Sequence, residues 1–324
     1  MTAADGILLV IGAGVVAYAV LGGADFGGGV WDLLAVGPRR DAQRRLIATT
    51  MGPVWEANHV WLVFVLIGLF SGFPLAFGAL ARMLAVPLAV ALLGIVLRGA
   101  AFVFRQYGGA PAAGWGRVFA IASTLAPASL GYCAGAIAVG RVGFAFPVAA
   151  GALALACCAY LAAVFLCREA VVRGEPAMAG DFRRRALGSA VVAGGVAALA
   201  LPVLAHDAPG LTADLVTGAP VLMALSAAGG LGSSAALAWR RFRTARGCAA
   251  LAVGAVVAGW GVAQYPVLVP PGLTVARAAA PAQTLPVTLG VLVAGFAVTL
   301  PSLGLLFAIF SRATRARPLE DQPW

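Results

Sequence analysis

Residues 83–105 read MLAVPLAVALLGIVLRGAAFVFR. From Met83 to Leu97 no side chain carries a charge, and the run then closes on Arg98 and Arg105. At about 1.5 Å of rise per residue, a helix of this length crosses a hydrocarbon core of about 30 Å. Only a helix can do so as a single segment, because in lipid the backbone must satisfy its own hydrogen bonds. The two arginines are seven residues apart and fall on one helix face. The stretch therefore reads as a membrane span with basic residues near one mouth, and the chain repeats that pattern.

Apolar runs lie near 5–23, 58–78, 83–104, 118–139, 142–166, 186–205, 215–239, 248–269 and 285–310. Composition agrees: 62% of residues are hydrophobic and 10% charged, where a soluble domain carries about 25% charged residues. The expected fold is an all-α integral membrane protein with nine transmembrane helices, forming a single polytopic membrane domain over 1–324. No soluble domain, linker or clear repeat interrupts it. Asp5 is the only charge ahead of the first span, so no cleavable signal is expected. Two long connections are expected, 24–57 and 167–185. The first contains an amphipathic stretch, Val30–Met51, suited to lying in the interface. The proline-rich segment 268–285 reads as a rigid cap, and the short polar tail after Phe310 as frayed.

The net charge of +10 is not a nucleic-acid footprint. Every basic residue is an arginine, and the arginines sit in clusters between apolar runs rather than on one face. With the N-terminus outside, Arg39, Arg40, Arg44, Arg45, Arg98, Arg105 and Arg117 fall on the cytoplasmic side. So do Arg168, Arg173, Arg183, Arg184 and Arg185, then Arg240, Arg241, Arg243 and Arg246, and finally Arg312, Arg315 and Arg317. Only Arg82, Arg141 and Arg277 remain outside. The positive-inside rule selects this orientation, with the C-terminus cytoplasmic.

Charges near the membrane are the informative positions, because they are costly there. Asp25 follows span one in a glycine-rich stretch, and Glu56 precedes span two. Two carboxylates at the inner mouth of a bundle could pass protons; equally, Asp25 could cap the following stretch and Glu56 complement a helix dipole. Arg98 and Arg105 could pair with either acid or with an anionic lipid headgroup. The glycines around Asp25 suit close helix packing better than a phosphate cradle, because a membrane span rather than a strand precedes them. His59 could serve as a haem ligand on geometry or be a satisfied interfacial residue; His206 reads as solvated. Most tryptophans and tyrosines sit near span ends, as an aromatic belt would have them. The five cysteines show no C-x-x-C spacing and read as buried filler, with no disulfide framework or covalent haem expected. Two function classes survive: a respiratory-complex subunit, and a polytopic secondary transporter, which would be expected to place charges at midplane.

Four ordered blocks resemble one family, subunit II of the cytochrome bd-type ubiquinol oxidases. They are Gly23–Leu34; Gly52–Leu62 with Phe73 and Pro74; Leu97–Arg105; and Trp260–Pro266 with Pro270–Thr274 and Ala278–Pro281. The resemblance implies two four-helix bundles plus a peripheral helix in the bacterial inner membrane. It implies a complex that oxidises a quinol and reduces oxygen, with haems b and d in a partner subunit I and no cofactor or metal on this chain. Small accessory subunits could join. Asp25 and Glu56 match family acids on a proton route from the cytoplasm; Trp55, Asn58, His59, Trp61, Arg98 and Arg105 are candidate interface or lipid contacts. The chain departs from the family pattern in carrying Glu56 where Asp is usual, and His59 where Glu or Gln is usual.

The arginine distribution generates a topology prediction. Reporter fusions after Phe310 and within 207–214 are expected to give opposite signals. The same signal from both would overturn the nine-span arrangement.

Overall fold

We describe the protein from a computed structural model. The structure describes residues 2–107, 112–143 and 145–315; the side chains of 52–57, 106–107, 112–113, 307 and 310–315 lie outside it, as does the tail from 316 onward.

The chain is helical almost throughout. Its elements are α1 (Ala3–Leu33), α2 (Arg40–Gly72), α3 (Pro74–Met83), α4 (Ala85–Tyr107), α5 (Ala112–Val139), α6 (Phe146–Val172), α7 (Pro176–Asp207), α8 (Pro209–Gly218), α9 (Pro220–Ala238), α10 (Phe242–Gln264), β1 (Val267–Val269), β2 (Leu273–Thr274), α11 (Val275–Ala278) and α12 (Thr284–Arg315). Among the described residues, eight helices are long and apolar enough to cross a membrane. The pair Asn58–Gly72 and Pro74–Met83, bent by 119°, brings the count to nine when taken as one span. Helices α1, α2, α4 and α5 form one bundle and α6, α7, α9 and α10 a second. Helix α6 joins them by packing on α1 and α5, and α12 lies outside against α1 and α2.

The joint between the bundles depends on glycine. A Cβ on Gly27 would stand 1.9 Å from the backbone oxygen of Cys158 in α6, and one on Gly29 would stand 2.1 Å from Cβ of Ser123 in α5. Only hydrogen fits at either position, so three helices close to backbone contact around the lower half of α1. The indole Nε1 of Trp31 donates to the Ala159 carbonyl across the same seam at 2.7 Å. This is how membrane helices associate where lipid supplies no hydrophobic drive: close van der Waals packing plus a few interhelical hydrogen bonds.

The structure corrects four sequence expectations. Span one does not end at 23. Helix α1 runs on through Asp25 to Leu33, because tertiary contact outweighs the weak helix preference of its glycines. The Val30–Met51 stretch does not lay its apolar side on a surface: the connection is only 34–39, and Leu46, Ile47 and Met51 of α2 are 0–2% exposed in a core shared with α6 and α7. The 167–185 connection is likewise mostly helix, leaving a three-residue turn between α6 and α7 with Gly174 at φ +74°. The run near 215–239 is also divided, at Ala219, where Pro209 and Pro220 each open a helix of their own.

The proline-rich segment folds as an antiparallel β1–β2 pair followed by α11. Val269, Val275 and Ala278 pack against Ile7, Phe73 and Leu292. The N–H of Ala280 donates to Gly72 O at 2.9 Å, satisfying a carbonyl that the bend after α2 leaves free.

The Gly27 seam predicts that Gly27→Ala lowers the thermal unfolding midpoint of the detergent-purified protein markedly, with a cost of about 3 kcal/mol or more. The clash is with backbone, which has no rotamer to escape into. Gly12→Ala, where no atom lies within 4 Å of the added Cβ, is expected to be neutral. Equal effects would show that the seam is not closely packed.

Candidate functional site

The C-terminal part of α1 meets arginines of α2, α4 and α7, and two ion pairs link it to α4. Asp25 and Arg98 are 1% and 2% exposed and joined through Oδ1 and Nη2. The same guanidinium donates from Nε to Ser123 Oγ at 2.9 Å and from Nη2 to the Asp25 carbonyl at 3.4 Å. Its faces lie over Phe26 and Phe119, with ring centroids at 5.1 and 5.2 Å. A charge this deep needs a counter-charge and hydrogen bonds to offset desolvation, and Arg98 has both, with two aromatic faces besides.

A second rung repeats the first. Asp32, 1% exposed, meets Arg105 Nη1 at 3.2 Å and Arg44 Nε at 3.9 Å. Arg44 also donates to the Asp32 carbonyl, from Nη2 at 3.3 Å. Asp25 and Asp32 are seven residues apart on α1, as Arg98 and Arg105 are on α4, so the two helices present matching charges at the same axial step of about 10.5 Å. Sequence reading singled out the arginine pair but missed Asp32. The signal was the equal heptad spacing of the two acids.

Further out, the 34–39 turn is tied to α7. Arg39 and Arg184 both reach Asp181 at 2.7 Å. Arg185 donates to Gln43 Oε1 at 2.9 Å and stacks over Trp31 and Phe182.

The other predicted residues divide. Glu56 and Trp55 belong to α2, but their side chains lie outside the described residues. Asn58 and Trp61 turn inward rather than to lipid, 1% and 2% exposed. Asn58 Nδ2 donates to the Leu21 carbonyl at 3.2 Å, and Trp61 packs on Phe296 of α12 at 5.3 Å. Arg98 is equally internal, and Arg105 is half-buried on its rung. His59 is half-buried on α2. Four buried polar atoms of α1 and α2 lack a hydrogen-bond partner among the described residues: Tyr18 Oη, Thr50 Oγ1, Asn58 Oδ1 and Trp61 Nε1. His206 is 87% exposed beside Asp207, and no group of three His, Cys, Asp or Glu side chains converges among the described residues.

Helices of this length and apolarity, with their charges drawn together at one end, define a polytopic integral membrane protein. The chain belongs to the cytochrome bd terminal oxidase subunit II family, which it matches over residues 5–310. It is 33% identical over 90 residues to the cytochrome bd ubiquinol oxidase subunit 2 of Bacillus subtilis (strain 168), covering 28% of this chain and 26% of that one. Over 87 residues it is 31% identical to a putative cytochrome bd menaquinol oxidase subunit II of the same organism, covering 27% and 25%. It is 29% identical over 98 residues to the cytochrome bd-I ubiquinol oxidase subunit 2 of Escherichia coli (strain K12), covering 30% and 25%. These alignments thus span about a quarter of each relative's length. The fold is that of a chain in the bd oxidase structure from Geobacillus thermodenitrificans, with a TM-score of 0.83 at 21% identity over 96% of this chain and 99% of that chain.

The buried pair predicts strong coupling. Asp25→Asn or Arg98→Gln alone strands the opposite charge and is expected to cost about 3–5 kcal/mol of stability. The double variant is expected to cost clearly less than the sum of the two. Additive losses in chaotrope unfolding would show that the two side chains are not a pair.

Proposed function

We propose that this chain is subunit II of a bacterial inner-membrane oxidase that oxidises a quinol and reduces oxygen to water. It works beside a haem-bearing partner subunit and gives protons access from the cytoplasm along Asp25 and Glu56. The N-terminus is outside and the arginine-rich end cytoplasmic. The family match over residues 5–310 supports the oxidase reading, and the transporter reading finds no support beside it. The haems b and d, and the redox chemistry they supply, belong to the partner. The relatives' names include both ubiquinol and menaquinol, and a quinol is the substrate class common to the two.

The observation that carries the proton route is the pairing of a fully buried carboxylate, Asp25, with unpartnered polar atoms on the same two helices. Tyr18 Oη, Thr50 Oγ1 and Asn58 Oδ1 are all buried, and each would be satisfied by a water molecule in a hydrated path. Glu56 precedes Asn58 by two residues on α2. The two acids then divide the work. Asp25 is held by Arg98 and faces the route. Glu56 is the group that takes up and releases protons.

Glu56→Gln keeps shape and hydrogen bonding but removes the titrating proton. Quinol-dependent oxygen consumption is expected to fall at least tenfold, with assembly and haem content per complex unchanged. Glu56→Asp is expected to retain most activity. Parental respiration by Glu56→Gln at full haem content would remove Glu56 from the route. Asp25→Asn is the weaker test, because it also leaves Arg98 uncompensated.

A further inference from the structure

Where α6 ends and α9 turns into α10, a cavity of 440 Å³ opens, lined by Arg168, Val171 and Val172 on one side and residues 240–244 on the other. It gathers four arginines, Arg168, Arg240, Arg241 and Arg243, and no acid lines it. Among the described residues none of the four has a carboxylate oxygen within 4.0 Å. Arg39, Arg44, Arg98, Arg105 and Arg184 at the same end all do. Arg246, one turn further along α10, feels the charges of Arg168 and Arg243, and Glu169 is the acid that acts on it. So many like charges around one hollow call for an anion.

The backbone adds to this. Arg240 stands at φ +57°, closing α9 by N–H bonds from Arg240 to Leu237 O and from Arg241 to Ala236 O. That turn ordinarily takes glycine at the left-handed position, yet here it carries one of the four guanidinium groups. The first turn of α10 has no side-chain cap and no acid, which leaves its N–H groups open to the same acceptor.

The surroundings select the source of the anion. Helices α6 and α10 are both membrane-crossing, so the hollow stands at a membrane face, where headgroups lie. Val171 and Val172 in its lining are 49% and 39% exposed, and Trp239, next to Arg240 in the chain, is 73% exposed. A free phosphate has no use for that apolar wall, whereas acyl chains and an interfacial tryptophan do. We propose that this cavity binds an anionic phospholipid, its phosphate held by Arg168, Arg240, Arg241 and Arg243 and its acyl chains laid along Val171 and Val172.

The test uses the protein purified in detergent with whatever subunits accompany it, stripped of lipid and titrated with diphosphatidylglycerol or phosphatidylcholine, bound lipid being counted by native mass spectrometry. The intact protein is expected to prefer diphosphatidylglycerol by at least tenfold, and a large excess of inorganic phosphate is expected not to displace it. Arg241→Gln/Arg243→Gln is expected to weaken binding about tenfold or more. Arg82→Gln/Arg277→Gln, which removes the same charge from the opposite end, is expected to leave it unchanged. Equal affinity of the intact protein for the two lipids overturns the proposal whether or not any variant folds. So does retention of full affinity by Arg241→Gln/Arg243→Gln, and displacement by phosphate would make this a free-anion site instead.

Discussion

Between α1 and α4 a carboxylate and a guanidinium have left water together, and the first bundle is arranged around the demands of that act. Neither Asp25 nor Arg98 could be there alone. Their contact needs α4 held at a set height and rotation by α5, Ser123 of α5 within reach of Nε, and Phe26 and Phe119 closed over the guanidinium. The Asp32–Arg105 rung repeats the requirement one heptad along. Slipping α4 by a single turn would break both rungs at once, so the pairs set the register of the two helices as well as holding them together. An arginine suits this use better than a lysine: its planar fork reaches carboxylate, hydroxyl and carbonyl together, and it keeps its charge under any physiological condition.

Polar fastening of this kind works only if the backbones are already close, and glycine supplies the closeness. Gly27 and Gly29 let α6 and α5 approach α1 to distances that a methyl group would forbid. The apolar core then continues from Leu46, Ile47 and Met51 of the first bundle into Leu161, Val164 and Phe182 of the second. The outward faces stay apolar: Leu92, Val96, Val191, Leu199 and Val298 are all more than half exposed, as lipid or a neighbouring chain requires.

Much of this was legible in the sequence because a membrane span is a one-dimensional signal. Length and apolarity mark each crossing, and arginine marks its mouth. What was not legible lay where helices leave that regime. The stretches 24–57 and 167–185 are polar enough to read as connections, yet most of their residues continue helices whose apolar faces meet one another rather than lipid. The bend after Gly72 left no such mark either, because Phe73 and Pro74 interrupt a run that remains apolar on both sides. Arg98 and Arg105 were visible as a heptad pair; their partners lie on α1, whereas α4 itself packs on α5, and no spacing within α4 can state that. Asp32 was hidden by standing in a stretch whose polarity reads as a loop. Glu56 was found as an acid beside a span, and its neighbours Asn58 and Trp61 prove to face the interior.

The bend after Gly72 bears on the bilayer itself. After Gly72 the chain leaves the line of α2 by 119°, and a break of this kind frees backbone groups that lipid cannot satisfy. The β1–β2 pair and α11 fill the space above the bend and take its free carbonyl at Gly72, so irregular backbone at that depth is screened by protein.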